Sequence, residues 1–418
     1  MSYQFSTERE LPRFQHFTAT PAAGALGAYI EGIDLNTELS DAAFTELYAA
    51  FLEYKVIFFR NQPMTEDQHL TLARRFGLIQ GPGAIPQVEG YPQIKEQIFD
   101  EYTTIGSDVN YHADDTFRDY PSKMSILRAL ETPAGAGNTI WVDMEKAFNT
   151  LSEPMKEFLQ GLSCIHNLDK SFGRGILEGA GGQAWDDMMK RNPPATHPLI
   201  VTHPETGRKS IHASQLTAVN IPELTEAESE AVLAMLMAHA YQPEFQCRFT
   251  WEENAIAIWD NRCLQHRGIN DFSPAYRHMH RIAIVDNIRP SKNPAEQTPL
   301  PLDASKPYIS VEDLYDSANK PELTYTESTT GNTEAKLSQN IADEGGDNDP
   351  VDAGFLEKMN SKKAGYYFTS GAAARIKKIP AMFRGAALRS IFKAAEDKGV
   401  KEINVAILQE VNAKRGKG

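Results

Sequence analysis

Two histidine-bearing segments far apart in the chain, Tyr111-His112-Ala113-Asp114 and Gln265-His266, constrain the fold more than any other feature. On an extended strand, His-x-Asp puts both side chains on one face, because strand side chains alternate with a period of two. If a second strand brings His266 alongside, the result is two imidazoles and one carboxylate. That facial set holds non-haem Fe(II) while leaving coordination positions open. Arg277 lies eleven residues beyond His266. Its planar fork suits a carboxylate, as a 2-oxo acid co-substrate on such a metal would require. Alone, His112 reads better as a core histidine bonded to Asp114, and His266 as a hydrogen-bonded barrel histidine. The spacing of all four residues favours the ligand reading, which needs a β-rich fold that juxtaposes distant strands.

The flanking residues carry a family resemblance. His112-Ala113-Asp114-Asp115-Thr116-Phe117, Glu131-Thr132-Pro133, Gly137-Asn138-Thr139-Ile140-Trp141 and the stretch from Ala255 through His266 to His280-Arg281 resemble the TauD/TfdA family of Fe(II)/2-oxoglutarate-dependent dioxygenases. The similarity spans roughly residues 20–290 and includes Arg75-Phe76-Gly77, Lys170-Ser171-Phe172, Asn192-Pro193-Pro194 and His203-Pro204. It implies a double-stranded β-helix, a jelly-roll barrel flanked by helices. It also implies that 2-oxoglutarate, substrate and O₂ load in that order onto Fe(II), with release of succinate and CO₂.

Residue by residue, the resemblance makes His112, Asp114 and His266 the iron ligands. It assigns Arg277, with the hydroxyl of Thr139, to the far carboxylate of 2-oxoglutarate, and Arg281 to an anionic group of the substrate. Arg277 and Arg281 share a strand face through even spacing. Asp108 and Phe172 fall at substrate-contact positions. Pro82 stands where the taurine-acting members carry a histidine, Asp108 where they carry asparagine, and Tyr111 where tryptophan is usual. The Ser210–Leu216 segment replaces one bearing an aromatic contact, so His212 is either a new polar contact or a surface histidine. These departures leave the iron and 2-oxoglutarate residues intact and alter the pocket. The substrate expectation is a small anionic molecule, a sulfonate first, with carboxylates, phosphonates and aryloxy acids behind it.

Along the chain, Ser40 and Thr65 cap helices, the second ending near Phe76-Gly77, and Thr225-Glu226-Ala227-Glu228 has the capping-box pattern of another. Residues 28–35, Val56–Phe59, Lys123–Leu130, Asn138–Val142, Phe245–Trp251, Ala255–Trp259 and Arg281–Asp286 read as strands. The expected fold is mainly β with flanking helices plus a small C-terminal helical domain. Its divisions are a dioxygenase domain over 1–295, an acidic linker over 296–350 that is disordered by composition, and a basic helical domain over 351–418. From Pro301 to Pro350 there are eleven acidic and three basic residues, whereas residues 351–418 carry fourteen Lys and Arg against six Asp and Glu. Ala372–Lys378, Phe383–Lys398 and Asn404–Ala413 read as helices. About forty-five residues of this tail resemble the small C-terminal domain found in light-independent protochlorophyllide reductase. A basic three-helix appendage with a solvated surface is the simpler reading. The resemblance leaves two alternatives open: a tetrapyrrole-linked dioxygenase, or a non-catalytic assembly protein docked through its tail.

A net charge of −14 disfavours nucleic acid as a partner. Three cysteines make no disulfide framework. With no secretory signal and no long apolar run, the expectation is a cytoplasmic protein without a membrane span. A homo-oligomer and a protein partner for the tail stay open. Cys263 reads as a small apolar strand residue rather than a thiolate ligand, since an oxidisable thiol coexists poorly with iron-oxygen chemistry.

Overall fold

The computed structural model describes residues 12–83, 85–102, 109–168, 185–186, 188–190, 192–315, 346–379 and 381–415. Its main sheet has eight strands, in the order Thr18–Pro21, Ala28–Glu31, Val56–Phe59, Ile256–Asp260, Ser122–Glu131, Arg277–Val285, Tyr91–Phe99 and Gln87–Val88. A three-stranded sheet, Gln246–Phe249, Thr139–Asp143 and Leu264–Gly268, packs against one of its faces. Val56-Ile57-Phe58-Phe59 explains why both faces are needed, because all four residues are buried. Val56 and Phe58 enter a cluster with Trp141, Phe249, Trp251, Trp259, Leu264 and Met279, which joins the two sheets. Ile57 and Phe59 face the other way, into a cluster with Leu47, Phe51, Leu70 and Phe76 from two helices. A strand covered on both faces reads as a continuous apolar run rather than an alternating one. Each such side chain contributes roughly 1.5–3 kcal/mol by leaving water.

The two helices that cover the outer face begin where the sequence places them. In Asp41–Tyr54, Ser40 accepts from the Ala43 N–H. In Glu66–Phe76, Thr65 and Gln68 exchange both bonds of a capping box. A third helix, Glu226–Ala240, has the capping box of Thr225 and Glu228 and buries Leu233 and Leu236. The barrel also holds a buried ion cluster: Lys55 Nζ lies 2.6 Å from Asp143 Oδ2 and 2.7 Å from Glu145 Oε2.

Three expectations change. His112 and Asp114 do not share a strand. His112 makes an isolated antiparallel bridge with His266, and Asp114 opens a turn in which Asp115 takes φ 59°. The last long strand begins at Arg277, so both arginines lie on it. The chain also stays on the barrel past residue 295. Ile309 bridges Gln80, its N–H donating to Ile79 O at 2.8 Å, and Leu314 is buried with Tyr120 and Val285. Acidic composition hid these few apolar anchors. Residues 316–345 of the expected linker lie outside the described residues.

Residues 346–415 form a helical unit with helices Ala353–Asn360, Ser370–Lys378, Ala381–Asp397 and Val405–Arg415, plus a short parallel pairing of Tyr367–Phe368 with Glu402–Ile403. The first helix and the strand pair were not expected. Ala372, Ile376, Leu388, Ile391, Phe392 and Ile403 make its core, joined by Tyr102 from the barrel. Among the described residues, no helix is long and apolar enough to cross a membrane.

Candidate metal centre and co-substrate cavity

The bridge between His112 and His266 is built from two backbone bonds, His112 N to His266 O at 3.0 Å and His266 N to His112 O at 2.8 Å. Side chains of opposed residues project from the same face, and the two imidazole centroids lie 4.3 Å apart. The turn after Ala113 then swings Asp114 beneath them. Asp114 Oδ1 lies 3.8 Å from His112 Nε2 and 3.9 Å from His266 Nε2. His112 Nδ1 is 2.8 Å from the Asn110 carbonyl. A carbonyl only accepts, so the proton sits on Nδ1 and the Nε2 lone pair faces the other two groups. A ring nitrogen anchored in this way is the usual support of a metal-ligating histidine. These three residues therefore fit an ion.

The opposite oxygen of Asp114 is held from behind by Arg281 Nη2 and by Ser125 Oγ, the latter at 3.0 Å. Burial would raise the Asp114 carboxyl, but the Arg281 guanidinium, then His266 and His112, holds it well below the usual range. It is a carboxylate at every working pH. Burial, followed by the neighbouring His112, pushes His266 well below its ordinary value, which keeps it neutral and able to ligate.

His112 and His266 form part of the wall of a cavity of about 810 Å³, counted with its open mouth, and Asp114 sits behind them. Arg277, Arg281 and Thr139 line it, with Phe99, Leu127, Trp259 and Phe272 as apolar wall. Thr139 Oγ1 accepts from the Trp251 indole at 2.9 Å. Indole only donates, so the threonine hydroxyl keeps its own proton to give to a carboxylate. Gly137 adopts φ +65°, and a Cβ there would lie 3.1 Å from Arg277 Cδ. Glycine is what lets the loop before Thr139 run this close to Arg277.

Among the described residues, two other clusters have groups close enough to bind an ion. In His203–Asp260–Cys263, His203 Nδ1 accepts from the Glu205 and Thr206 N–H groups, and Nε2 lies 3.0 Å from Asp260 Oδ2, so both nitrogens are used. Burial raises the Cys263 thiol well above its ordinary value, in keeping with a small apolar role. Glu96–His278–His280 lies on the helix-covered face of the main sheet, with His278 Nε2 already 3.0 Å from Glu96 Oε1. Of the three, only the His112–Asp114–His266 group reaches the large cavity, through His112 and His266.

Thus the structure brings together His112, Asp114, His266, Thr139, Arg277 and Arg281. Asp108 and Phe172 lie outside the described residues. His212 is not at the surface. It is buried against His166 and His197, at ring separations of 5.3 and 5.2 Å, and lines a smaller cavity of about 240 Å³. Asn110, Ser125, Trp251 and the cavity residue Asp100 went unnoticed in the sequence. None sits in a motif, and each matters only through a contact made in three dimensions.

A family model described as taurine catabolism dioxygenase TauD, TfdA family, matches residues 17–283. An alkylsulfatase of Acinetobacter baylyi is 30% identical over 289 residues, 68% of this chain and 89% of that protein. An (S)-phenoxypropionate/alpha-ketoglutarate-dioxygenase of Sphingobium herbicidovorans is 32% identical over 60% of this chain and 88% of its own length. Among solved structures, a taurine dioxygenase from Burkholderia xenovorans superposes with a TM-score of 0.57 at 29% identity, covering 66% of this chain and 91% of that one. AAD-2, in complex with Mn(II) and N-oxalylglycine, gives 0.56 at 26% identity, covering 65% and 98%.

Proposed function

This chain belongs to the TauD/TfdA family of Fe(II)- and 2-oxoglutarate-dependent dioxygenases, and on that premise we propose that His112, Asp114 and His266 hold its iron. The observation that carries the reading is the convergence of two Nε2 atoms and Asp114 Oδ1 beside a cavity that also contains Arg277 and Thr139. Iron held there supplies O₂ activation coupled to decarboxylation of 2-oxoglutarate, giving succinate, CO₂ and a hydroxylated substrate. The protein's part is positional. Asn110 fixes the His112 tautomer. Arg281 and Ser125 orient Asp114. Arg277 and Thr139 pair the far carboxylate of 2-oxoglutarate, which would be costly to bury unpaired. Phe99, Leu127 and Trp259 exclude water from the reacting C–H bond.

The substrate we propose is a small anion, with sulfonates and sulfate esters ahead of aryloxy acids. Support comes from an alpha-ketoglutarate-dependent sulfate ester dioxygenase of Pseudomonas putida, 28% identical over 64% of this chain, beside the alkylsulfatase relative. Arg281 supplies the charge that such a substrate needs. The described part of 346–415 is a separate appended module on this reading. The tail's resemblance to a pigment-enzyme domain motivates one control, an absorbance titration with a protochlorophyllide-like pigment. The principal test is O₂ uptake with taurine, alkyl sulfates, aryloxyacetates and amino acids. Turnover of uncharged compounds alone would defeat the anionic assignment. Succinate formation near wild type in His112→Ala or Asp114→Ala would defeat the ligand set.

A further inference from the structure

The strand Arg277–Val285 carries a second set of ligand-type side chains on its helix-covered side. His278 and His280, two residues apart, project from the same face, and their ring centroids lie 5.0 Å apart. Glu96, on the strand Tyr91–Phe99, stands opposite His280 in antiparallel register. His278 Nε2 is 3.0 Å and His280 Nε2 is 4.0 Å from the same oxygen, Glu96 Oε1. One donor atom from each of the three residues falls within 4.8 Å of the other two. On the other edge of the ring, His280 Nδ1 lies 3.4 Å from Oε1 of Glu66, the first residue of the helix Glu66–Phe76. Arg128 Nη1 stands 3.9 Å from that same Glu66 oxygen.

An ordinary ion pair explains His278 and Glu96 but not His280. That residue is 3% exposed, and neither of its ring nitrogens makes a hydrogen bond among the described residues. A buried polar group in this state calls for a partner. Burial, and then His278, lowers His280 to about 4, so the ring is neutral near pH 7. A neutral imidazole has one lone pair to give and one N–H to place. The surroundings answer both needs, with Nε2 turned toward the oxygen it shares with His278 and Nδ1 toward Glu66. Histidines that ligate a metal commonly donate their other N–H to a carboxylate in this way.

The spacing suits a small divalent ion. Tetrahedral Zn(II), with bonds of about 2.0–2.2 Å, sets its donors about 3.4 Å apart, and the separations of 3.0 and 4.0 Å bracket that value. Two imidazoles and a carboxylate are a Zn(II) donor set that leaves a fourth position to water. The side chains of His278 and Glu96 are 20% and 29% exposed, so an ion can enter from solvent.

We infer that His278, His280 and Glu96 form a second metal site, for Zn(II) or a similar divalent ion, with Glu66 positioning His280. An ion held there ties two neighbouring strands together and braces, from behind, the strand that carries Arg277 and Arg281. None of the four residues lines the cavity, and the inference does not depend on the iron reading.

The test is calorimetric titration of chelator-stripped, full-length protein with Zn(II). Wild type should bind two equivalents and His112→Ala one. In the His112→Ala background, His278→Gln should weaken the remaining equivalent by more than about 100-fold, and Glu66→Gln, which removes only the support of His280, by about tenfold. Zn(II) should also raise the Tm of His112→Ala, and adding His278→Gln should abolish that rise. Glu96→Gln is the second ligand variant, so that the test does not hang on the folding of one protein. Absence of binding in His112→Ala, or an affinity and a Tm rise unchanged by both His278→Gln and Glu96→Gln, would overturn the inference. A single wild-type equivalent that His278→Gln removes and His112→Ala leaves would uphold this site and defeat the iron reading instead.

Discussion

Arg281 grips one oxygen of Asp114 and leaves the other to the histidines: Nη2 contacts Oδ2, while Oδ1 faces the two Nε2 atoms at 3.8 and 3.9 Å. The residue expected to hold the substrate's anion thus also steadies the carboxylate of the proposed metal set, and the guanidinium has donors enough for both. Arg281→Ala should therefore weaken Mn(II) or Fe(II) binding by about 10- to 100-fold, as loss of a ligand's hydrogen-bonded support does. It should raise the substrate KM as well. Metal titration of the variant decides, and wild-type metal affinity would confine Arg281 to the substrate.

Gly137→Ala meets two obstacles at once, a left-handed backbone at φ +65° and a Cβ 3.1 Å from both Arg277 Cδ and Phe272 Cδ1. The backbone alone costs about 1–2 kcal/mol. Displacing Arg277 should raise the 2-oxoglutarate Kd by about tenfold, while the metal affinity, set by other residues, is held. Parallel titrations with Mn(II) and 2-oxoglutarate test that split.

Lys55→Met should be among the most destabilising single changes in the barrel. It would take from buried Asp143 the ammonium 2.6 Å away and from buried Glu145 one of its two cations, leaving it Arg208 Nε at 2.9 Å. Breaking a buried pair from one side costs about 3–5 kcal/mol. Urea unfolding measures it, and a loss below about 1 kcal/mol would show that the carboxylates find other partners.

Acid should destabilise the protein through its buried histidines. Burial lowers His212 to about 4, and burial and neighbouring histidines push His166 and His197 well below their ordinary value. The unfolded chain takes up these protons near the ordinary value, so it binds more protons than the folded chain between about 6.5 and 4. The stability these neutral rings contribute is complete above 6.5 and is lost as pH falls through that window, by up to about 3 kcal/mol for His212. His212→Gln should flatten the fall of Tm between pH 7 and pH 4.5. An identical profile in the variant would remove His212 from the acid response.

Much of this was legible in the sequence because the signals are local. The caps at Ser40, Thr65 and Thr225, the buried run Val56–Phe59 and the even spacing of Arg277 and Arg281 each depend on near neighbours. What escaped depends on the third dimension. The period of two suggested a strand from His112 to Asp114, yet a turn at Asp115 carries the carboxylate under the imidazoles. His212 read as either a polar contact or a surface histidine, because nothing adjacent announces the two histidines it packs against. The acidic stretch after Arg289 hid Ile309 and Leu314, two apolar anchors too sparse to register in composition.

The strand Arg277–Val285 acts as a two-sided ruler. Arg277 and Arg281 face the cavity, while His278 is bonded to Glu96 and His280 is buried toward Glu66 on the helix-covered side. Deleting one residue within the strand would exchange these sides, because register moves all side chains together. Imidazoles would then line the cavity and guanidiniums would be driven into an apolar layer. Length variation among descendants of this chain should therefore be tolerated in the loop from Ile269 to Tyr276 and purged from the nine residues that follow. A deletion library screened for growth or folding would show that boundary as a sharp step at Arg277.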